Sequence, residues 1–118
     1  MDRVDLTIIG GGPVGLFAAF YAGMRGMSVR IVDSLAELGG QLVALYPEKY
    51  VFDMPGFPKV LARDLANSLI EQGTQFGPEV VLSQTAERLD SDEQGYTIVT
   101  RSGHHLPTRT VVISAGAG

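Results

Sequence analysis

Apolar residues along the chain form short continuous runs that alternate with segments of helical spacing. The continuous runs have the length of buried strands and lie at residues 4–9, 29–32, 80–82 and 110–114. Apolar and small residues fill 13–24, which predicts a helix with Pro13 in its first turn and Arg25 and Gly26 at its end. Leucines four residues apart predict a second, amphipathic helix over residues 59–76. This alternation of strands and helices predicts a parallel sheet.

The second half of the chain adds the pattern of β-hairpins. Short strands are predicted at residues 85–89 and 96–100, around an acidic turn at 90–95. A second turn at 101–104 leads to another strand at 105–108. The predicted fold class is therefore α/β, a Rossmann-like parallel sheet with helices and a small antiparallel β-hairpin layer.

Residues 34–58 carry little regular periodicity and form an unusually long connection for a compact domain. The segment is rich in leucine, tyrosine and phenylalanine, a composition that does not favour disorder. We expect it to pack against something, and a flat aromatic cofactor is one candidate. The alternative is an ordered loop that only covers the core.

The turn after the first strand has the spacing G-x-G-x-x-G at Gly10, Gly12 and Gly15, and the second strand ends at Asp33. In a dinucleotide-binding βαβ unit the first glycine permits a tight turn, the second lets the backbone approach a pyrophosphate, and the third lets the helix pack closely. The helix N-terminus offers free N–H groups to the phosphates. Asp33 can accept hydrogen bonds from ribose hydroxyls, and its charge argues against a 2′-phosphate there.

Composition narrows the function further. The 118 residues amount to one domain, contain no cysteine, and carry a net charge of −4 without a concentrated run of either sign. Nucleic acid is therefore not an expected partner. The apolar segment over residues 14–24 is too short to cross a membrane, and we expect a soluble, cytoplasmic protein. The neighbouring His104 and His105 have no cysteine or further histidine beside them, so no metal site is predicted. Spacing also gives no catalytic triad or carboxylate pair, and any chemistry must come from a bound cofactor.

These residues resemble a known family. Residues 10–19, Asp33 and the segment 37–42 are similar to the FAD domain of thioredoxin-reductase-like flavoproteins. Residues 45–50 and 53–59 narrow the resemblance to ferredoxin–NADP⁺ reductases of the thioredoxin-reductase type. The resemblance extends over essentially the whole chain.

The resemblance implies positions for the cofactor. The glycine turn would hold the FAD pyrophosphate, Asp33 the adenosine ribose, and Ala86 the adenine through its backbone. Gln41 and Tyr46 would lie against the flavin half. The complete set of cofactor-binding residues implied in this way is Gly10, Gly12, Pro13, Gly15, Asp33, Gly40, Gln41, Tyr46, Ala86 and Gly116. It includes no catalytic residue.

The resemblance also implies a reaction. In the family, hydride passes from NADPH to FAD, and electrons then pass singly to ferredoxin or flavodoxin, in cytoplasmic homodimers. An NADPH domain follows the strand that matches residues 111–114, and the chain then returns to complete the FAD site. Residues 1–118 are expected to be the N-terminal segment of a truncated FAD-binding domain, without these later parts. We therefore expect this chain alone to be inactive and its FAD binding to be weakened or lost.

Three other assignments are compatible with parts of the sequence. A thioredoxin reductase fragment has the same fold, and its redox cysteines would lie in the domain that is absent here. A stand-alone nucleotide-binding or interaction module without catalysis is a hypothesis from a different functional class. An NAD-binding Rossmann domain would account for residues 10–33 but not for the unusual segment over 39–58.

Overall fold

The computed structural model describes residues 2–45 and 47–116. Along these residues the strands and helices are β1 (Val4–Ile9), α1 (Pro13–Met24), β2 (Val29–Val32), α2 (Gln41–Ala44), β3 (Tyr50–Val51), β4 (Val60–Leu61), α3 (Ala62–Thr74), β5 (Glu79–Val81), β6 (Ala86–Asp92), β7 (Gly95–Thr100) and β8 (His105–Ile113).

The main sheet has the strand order β5-β2-β1-β8-β7-β6. Its first four strands are parallel, with Ile8 opposite Ile31 on one side and opposite Val112 on the other. The last three strands form an antiparallel meander, in which Thr97 is opposite Pro107. Strand β8 belongs to both parts, because its first half pairs with β7 and its second half with β1. Hydrogen bonding along one strand therefore fixes the meander to the parallel sheet.

The meander lies over one face of the parallel sheet. Three strand spacings separate β2 from β7, so their side chains would be about 14 Å apart on a flat sheet. Val32 of β2 nevertheless packs with Ile98 of β7 and Leu106 of β8 in one buried cluster. On the opposite face, Ile8 and Leu16 belong to a second cluster that joins the sheet to α1. The result is three layers, and it confirms the predicted α/β fold with a hairpin layer.

Two predictions about the middle of the chain need correction. The second helix begins at Ala62 rather than at residue 59, because Val60–Leu61 pair with Tyr50–Val51 as a two-stranded sheet. Its last residue is Thr74, and Phe76 beyond it packs on the ring of Phe20, with 6.1 Å between the centroids. The segment 34–58 is also less irregular than predicted, since it contains α2 and β3.

The hairpin predictions were also partly wrong. Strand β6 continues to Asp92, so the acidic turn is shorter than the predicted 90–95. Residues 105–113 form one strand rather than the two predicted. The end of this strand is not buried, and Ile113 is 73% exposed. The side chain of Ile113 lies at the carboxyl end of the sheet, where it lines a cavity and is not covered by other described residues.

A buried arginine, which the apolar pattern did not predict, connects the layers. Arg30 of β2 is fully buried. Its Nε lies 3.2 Å from Oε2 of Glu79, and its two terminal nitrogens donate to the carbonyls of Pro107 and Asp2 at 2.8 Å each. A buried charge is tolerated only when its donors are satisfied in this way. Arg30 thus fixes the start of the chain and the meander to the centre of the sheet.

Asp5 and Ser28 bond reciprocally where α1 returns to the sheet. Asp5 N donates to Ser28 Oγ at 2.8 Å, and Ser28 N donates to Asp5 Oδ2 at 2.9 Å. The hydrogen bond from the Ser28 N–H holds the pKa of Asp5 below its ordinary value. The Ser28 hydroxyl and the positive charge of Arg109 lower this pKa further, by smaller amounts. A depressed pKa means that this carboxylate stabilises the fold above the pKa of the unfolded chain, and that the contribution disappears as the pH falls through the folded pKa.

We expect Asp5→Asn to lower the Tm at pH 7, and we expect this deficit to shrink as the pH falls below about 3.9, the pKa of a free aspartate, towards the lower pKa of the folded state. Thermal unfolding followed by circular dichroism between pH 7 and 3 measures this difference. Asp53→Asn is the control, because Asp53 is exposed and has no bonded partner among the described residues. An Asp5→Asn deficit that persists unchanged at pH 3 would contradict the assignment.

Candidate cofactor-binding site

The carboxyl ends of three parallel strands meet at one edge of the sheet. Ile9 ends β1 and lies opposite both Val32 of β2 and Ile113 of β8. The glycine turn after β1, Asp33 after β2 and Ser114 after β8 therefore lie next to one another. In open α/β sheets this edge, where a crevice forms between diverging connections, is where ligands bind.

Two glycines of the turn are required by the fold itself. Gly10 has φ +105°, and a Cβ there would collide with the carbonyl oxygen of Ser114. A Cβ on Gly15 would collide with the carbonyl oxygen of Gly10, because α1 packs directly against the turn. These positions would need glycine even without a ligand.

Gly12 is different, because the protein itself leaves room for a side chain there. Its backbone is extended, with φ −81° and ψ −168°, a conformation open to any residue. The nearest atom to a Cβ would be Gly40 Cα at 3.9 Å, an ordinary contact distance. Gly12 lines the cavity at this edge of the sheet. Packing within the protein therefore does not require glycine at this position, which is the N-cap of α1.

The N-terminus of α1 opens into the same cavity. The first intrahelical bond of this 12-residue helix runs from Leu16 N to Gly12 O, at 2.9 Å. The N–H groups of Gly12, Val14 and Gly15 precede that bond, and such groups have no partner within a helix. They supply donors and a partial positive charge suited to an anion such as a diphosphate.

Asp33 connects the end of β2 to the glycine turn. Its Oδ2 accepts from Gly11 N at 2.7 Å, and its Oδ1 accepts from Leu35 N at 2.9 Å. The residue is 9% exposed and lines the cavity. A carboxylate has about four lone-pair sites. Asp33 can therefore hold the turn and still accept hydrogen bonds from ribose hydroxyls.

The segment after Asp33 forms a second wall of the cavity. Gly39 N donates to Gly11 O at 2.8 Å, and this bond ties the segment to the glycine turn. Gly40, with φ +60°, then lies against Gly12 and begins α2, which places Gln41 at the cavity. This position agrees with the expectation that the segment borders a cofactor. Tyr46 lies outside the residues that the structure describes.

These elements enclose a cavity of about 580 Å³, a size typical of cofactor sites. Ser114, Leu35 and Thr85 also line it and were not among the predicted residues, because no spacing rule marks them. Gly15 lies beneath the turn and does not line the cavity. The predicted residues that line it are Gly10, Gly12, Pro13, Asp33, Gly40, Gln41, Ala86 and Gly116.

A second cavity of about the same volume lies between the segment after β2 and α3. Glu37, Arg63 and Asn67 are its polar lining residues, and Arg63 already bonds Glu48 at 2.8 Å. It touches neither the glycine turn nor Asp33. The two cavities therefore cannot be distinguished by size. The hydrogen-bond donors at the N-terminus of α1 make the first cavity the better candidate for a cofactor site.

The first cavity contains no catalytic pair of its own. Asp33 is the charged side chain among its described lining residues. No group of three or more histidine, aspartate or glutamate side chains that could hold a metal ion occurs in residues 2–45 and 47–116. What the described lining residues offer is a set of hydrogen-bond donors and one carboxylate, which can bind and orient a ligand.

The strand, glycine turn, helix N-terminus and acidic residue together define a dinucleotide-binding domain of the Rossmann type. A family model described as FAD dependent oxidoreductase matches residues 5–105. The chain belongs to the FAD-dependent oxidoreductase family.

Relatives narrow the similarity within this family. The chain is 53% identical over 117 residues to ferredoxin–NADP reductase 2 of Shouchella clausii, with 99% of this chain and 36% of that protein covered. It is 50% identical to the ferredoxin–NADP reductase of Thermus thermophilus, with 99% of this chain and 35% of that protein covered. The chain thus spans about a third of the length of these relatives.

Solved structures agree with the fold. The thioredoxin reductase of Streptococcus pyogenes superposes with a TM-score of 0.85 at 26% identity, covering 98% of this chain and 36% of that structure. The thioredoxin reductase of T. acidophilum gives a TM-score of 0.84 at 25% identity. In both, the matched part covers about a third of the solved chain.

The glycine contacts lead to opposite expectations for two variants. Gly15→Ala should destabilise the chain by about 2 kcal/mol, because its methyl group overlaps the backbone of the turn. Gly12→Ala should change the free energy of unfolding by no more than about 0.5 kcal/mol, since its methyl group enters open space. Urea unfolding of both variants measures the contrast. A Gly12→Ala chain as unstable as Gly15→Ala would contradict a ligand-related role for Gly12.

Proposed function

We propose that this chain is the N-terminal segment of the FAD-binding domain of a flavoprotein that passes electrons from NADPH through FAD to ferredoxin or flavodoxin. The observation that carries the proposal is Gly12, an unstrained glycine with room for a side chain, located between a helix N-terminus and a buried aspartate. The sequence identity of 53% to a ferredoxin–NADP reductase supports the choice of reaction.

The positions of the lining residues suggest how FAD lies in the cavity. The N–H groups of Gly12 and Val14, next to Pro13, would hold the pyrophosphate. Asp33 would bind the adenosine ribose, and the backbone of Ala86 would contact the adenine. On the other side, the flavin half would be flanked by Gly40, Gln41 and Gly116, together with Tyr46.

Bound FAD would supply the chemistry, since it accepts a hydride and releases single electrons. The residues of this chain would bind and orient it. Gly10 and Gly15 would keep the turn and helix in place, and apolar residues such as Leu35 would keep water from the cofactor. The negative charge of Asp33 disfavours the 2′-phosphate of NADPH, so NADPH would bind elsewhere in a longer protein.

Two open surfaces support the proposal that further chain completes this domain. Beyond Thr108, β8 is paired only with β1, and its other edge is open within the described residues. Along α1, Val14, Phe17, Tyr21 and Met24 are each at least half exposed and lie on one stripe of the helix. The G-x-G-x-x-G spacing occurs once in the chain, at the proposed FAD site. We therefore propose that these residues alone do not oxidise NADPH.

The family resemblance also leads us to propose a cytoplasmic homodimer for the complete protein. Among the described residues, no helix has both the length and the apolar character needed to cross a membrane.

Two alternative functions, a thioredoxin reductase and a non-catalytic nucleotide-binding module, have different support. A thioredoxin reductase shares the fold, but the structural matches are 25–26% identical, against 50–53% for the ferredoxin–NADP reductases. A non-catalytic nucleotide-binding module would have the same cavity and would use only the adenosine half of it. Comparison of FAD with smaller nucleotides separates this last reading from ours.

Titration of the chain with FAD, followed by flavin fluorescence, tests the proposal. We expect weak but saturable one-to-one binding rather than complete loss, because the proposed pyrophosphate and ribose contacts lie within these residues. Gly12→Ala should weaken this binding by at least about tenfold, or 1.4 kcal/mol. FMN should not compete, because it lacks the adenosine and one phosphate. ADP should compete more weakly than FAD, because the flavin half also contacts the cavity.

Three outcomes would contradict the proposal: no saturable binding by wild type, equal binding by Gly12→Ala, or FMN competing as well as FAD. An ADP affinity equal to that of FAD would favour the non-catalytic module. Asn67→Ala is the matched control, because Asn67 lines the second cavity and its loss should leave FAD binding unchanged.

A further inference from the structure

The peptide group between Gly10 and Gly11 is held from both sides by side chains. Its carbonyl oxygen lies 3.2 Å from Ser114 Oγ, which donates to it. Its N–H donates to Asp33 Oδ2 at 2.7 Å. In a trans peptide the carbonyl and the N–H point in opposite directions. The two bonds therefore fix the orientation of the peptide plane.

Ser114 is well placed to act on the turn because its own backbone is fixed. It follows β8 directly, and its N–H donates to Ile9 O at 2.8 Å. The hydroxyl lies 3.2 Å from both Ile9 O and Gly10 O, so its single hydrogen is shared between the last carbonyl of β1 and the first carbonyl of the turn. The first turn of α1 packs on the same hydroxyl, since a Cβ on Gly15 would lie 3.0 Å from Oγ.

Side chains are needed here because sterics alone do not fix the peptide. Glycine occurs on both sides of it, and glycine adopts positive and negative φ with similar ease. Rotation of this peptide would break the bond to Asp33 and strain the next peptide, which carries the Gly12 N–H and whose carbonyl accepts from Gly39 N at 2.8 Å. The direction of the donors in the cavity thus depends on the bonds made by Ser114, Asp33 and Gly39 together.

We propose that Ser114 is a positioning residue for the cofactor: with Asp33 it holds the Gly10–Gly11 peptide so that Gly12 and the α1 N-terminus face the diphosphate. The inference rests on the proposed function, in that the bound group is FAD. Ser114 acts through the backbone of the turn and needs no contact with the cofactor.

The test combines amide hydrogen exchange at Gly11, measured by NMR on the ¹⁵N-labelled chain, with FAD titration. Ser114→Ala should speed Gly11 exchange and weaken FAD binding, each by about three- to tenfold, the range expected for one lost hydrogen bond. Ser114→Thr, which keeps the hydroxyl, should restore both values. Exchange at Ile8 in the middle of β1 reports whether the fold is intact.

Thr110→Val is the matched control. Thr110 lies on the same strand, and its hydroxyl donates to a carbonyl of β1, Asp5 O, at 2.6 Å. It lies at the opposite end of the strand pair from the glycine turn. Its loss should leave both Gly11 exchange and FAD affinity within about twofold of wild type.

The inference is overturned if Ser114→Ala leaves Gly11 exchange or FAD affinity unchanged, or if Thr110→Val alters both equally. If Ser114→Ala does not fold, Ser114→Cys replaces it, because a thiol is a much weaker donor. Failure of wild type to bind FAD would refute the proposed function instead, and Gly11 exchange would still decide whether Ser114 holds the peptide.

Discussion

The hydrogen bond from Gly11 N to the Asp33 carboxylate is the interaction on which the proposed site most depends. It joins the turn after β1 to the end of β2, at a point where apolar packing cannot act because the turn consists of glycines. The same carboxylate bonds Leu35 N and so directs the chain into the segment that forms the second cavity wall. One buried acidic residue therefore shapes the turn, orients the following segment, and retains lone pairs for a ligand.

The glycines of the turn have two different roles: some are needed to build the turn, and another leaves room for a cofactor. Contacts within the protein require glycine at Gly10 and Gly15, whereas none of them requires it at Gly12. The cavity has no acid–base pair among its described residues, which suits a domain whose cofactor performs the chemistry. Membership in the FAD-dependent oxidoreductase family and the similarity to ferredoxin–NADP reductases agree with that division.

Much of this could be predicted from the sequence, because the relevant signals are local. The spacing of Gly10, Gly12 and Gly15 and the acid at 33 pointed to the edge of the sheet where the first cavity lies, and the hairpin signals predicted the antiparallel layer. The buried Arg30 was missed because its partners, Glu79, Pro107 and Asp2, are distant in sequence. The β3–β4 pair and the contact of Ser114 with the turn were missed for the same reason. Such pairings depend on how the layers assemble, and no local pattern encodes that.

We propose that FAD binds at the carboxyl edge of β1, β2 and β8. The most direct test of this proposal is a ¹H–¹⁵N correlation spectrum of the labelled chain during addition of FAD. We predict the largest chemical-shift changes at the amides of Gly11, Gly12, Val14 and Gln41, with further changes at Ala86. Changes concentrated at Glu37, Arg63 and Asn67 around the second cavity, or no changes at saturating FAD, would contradict it.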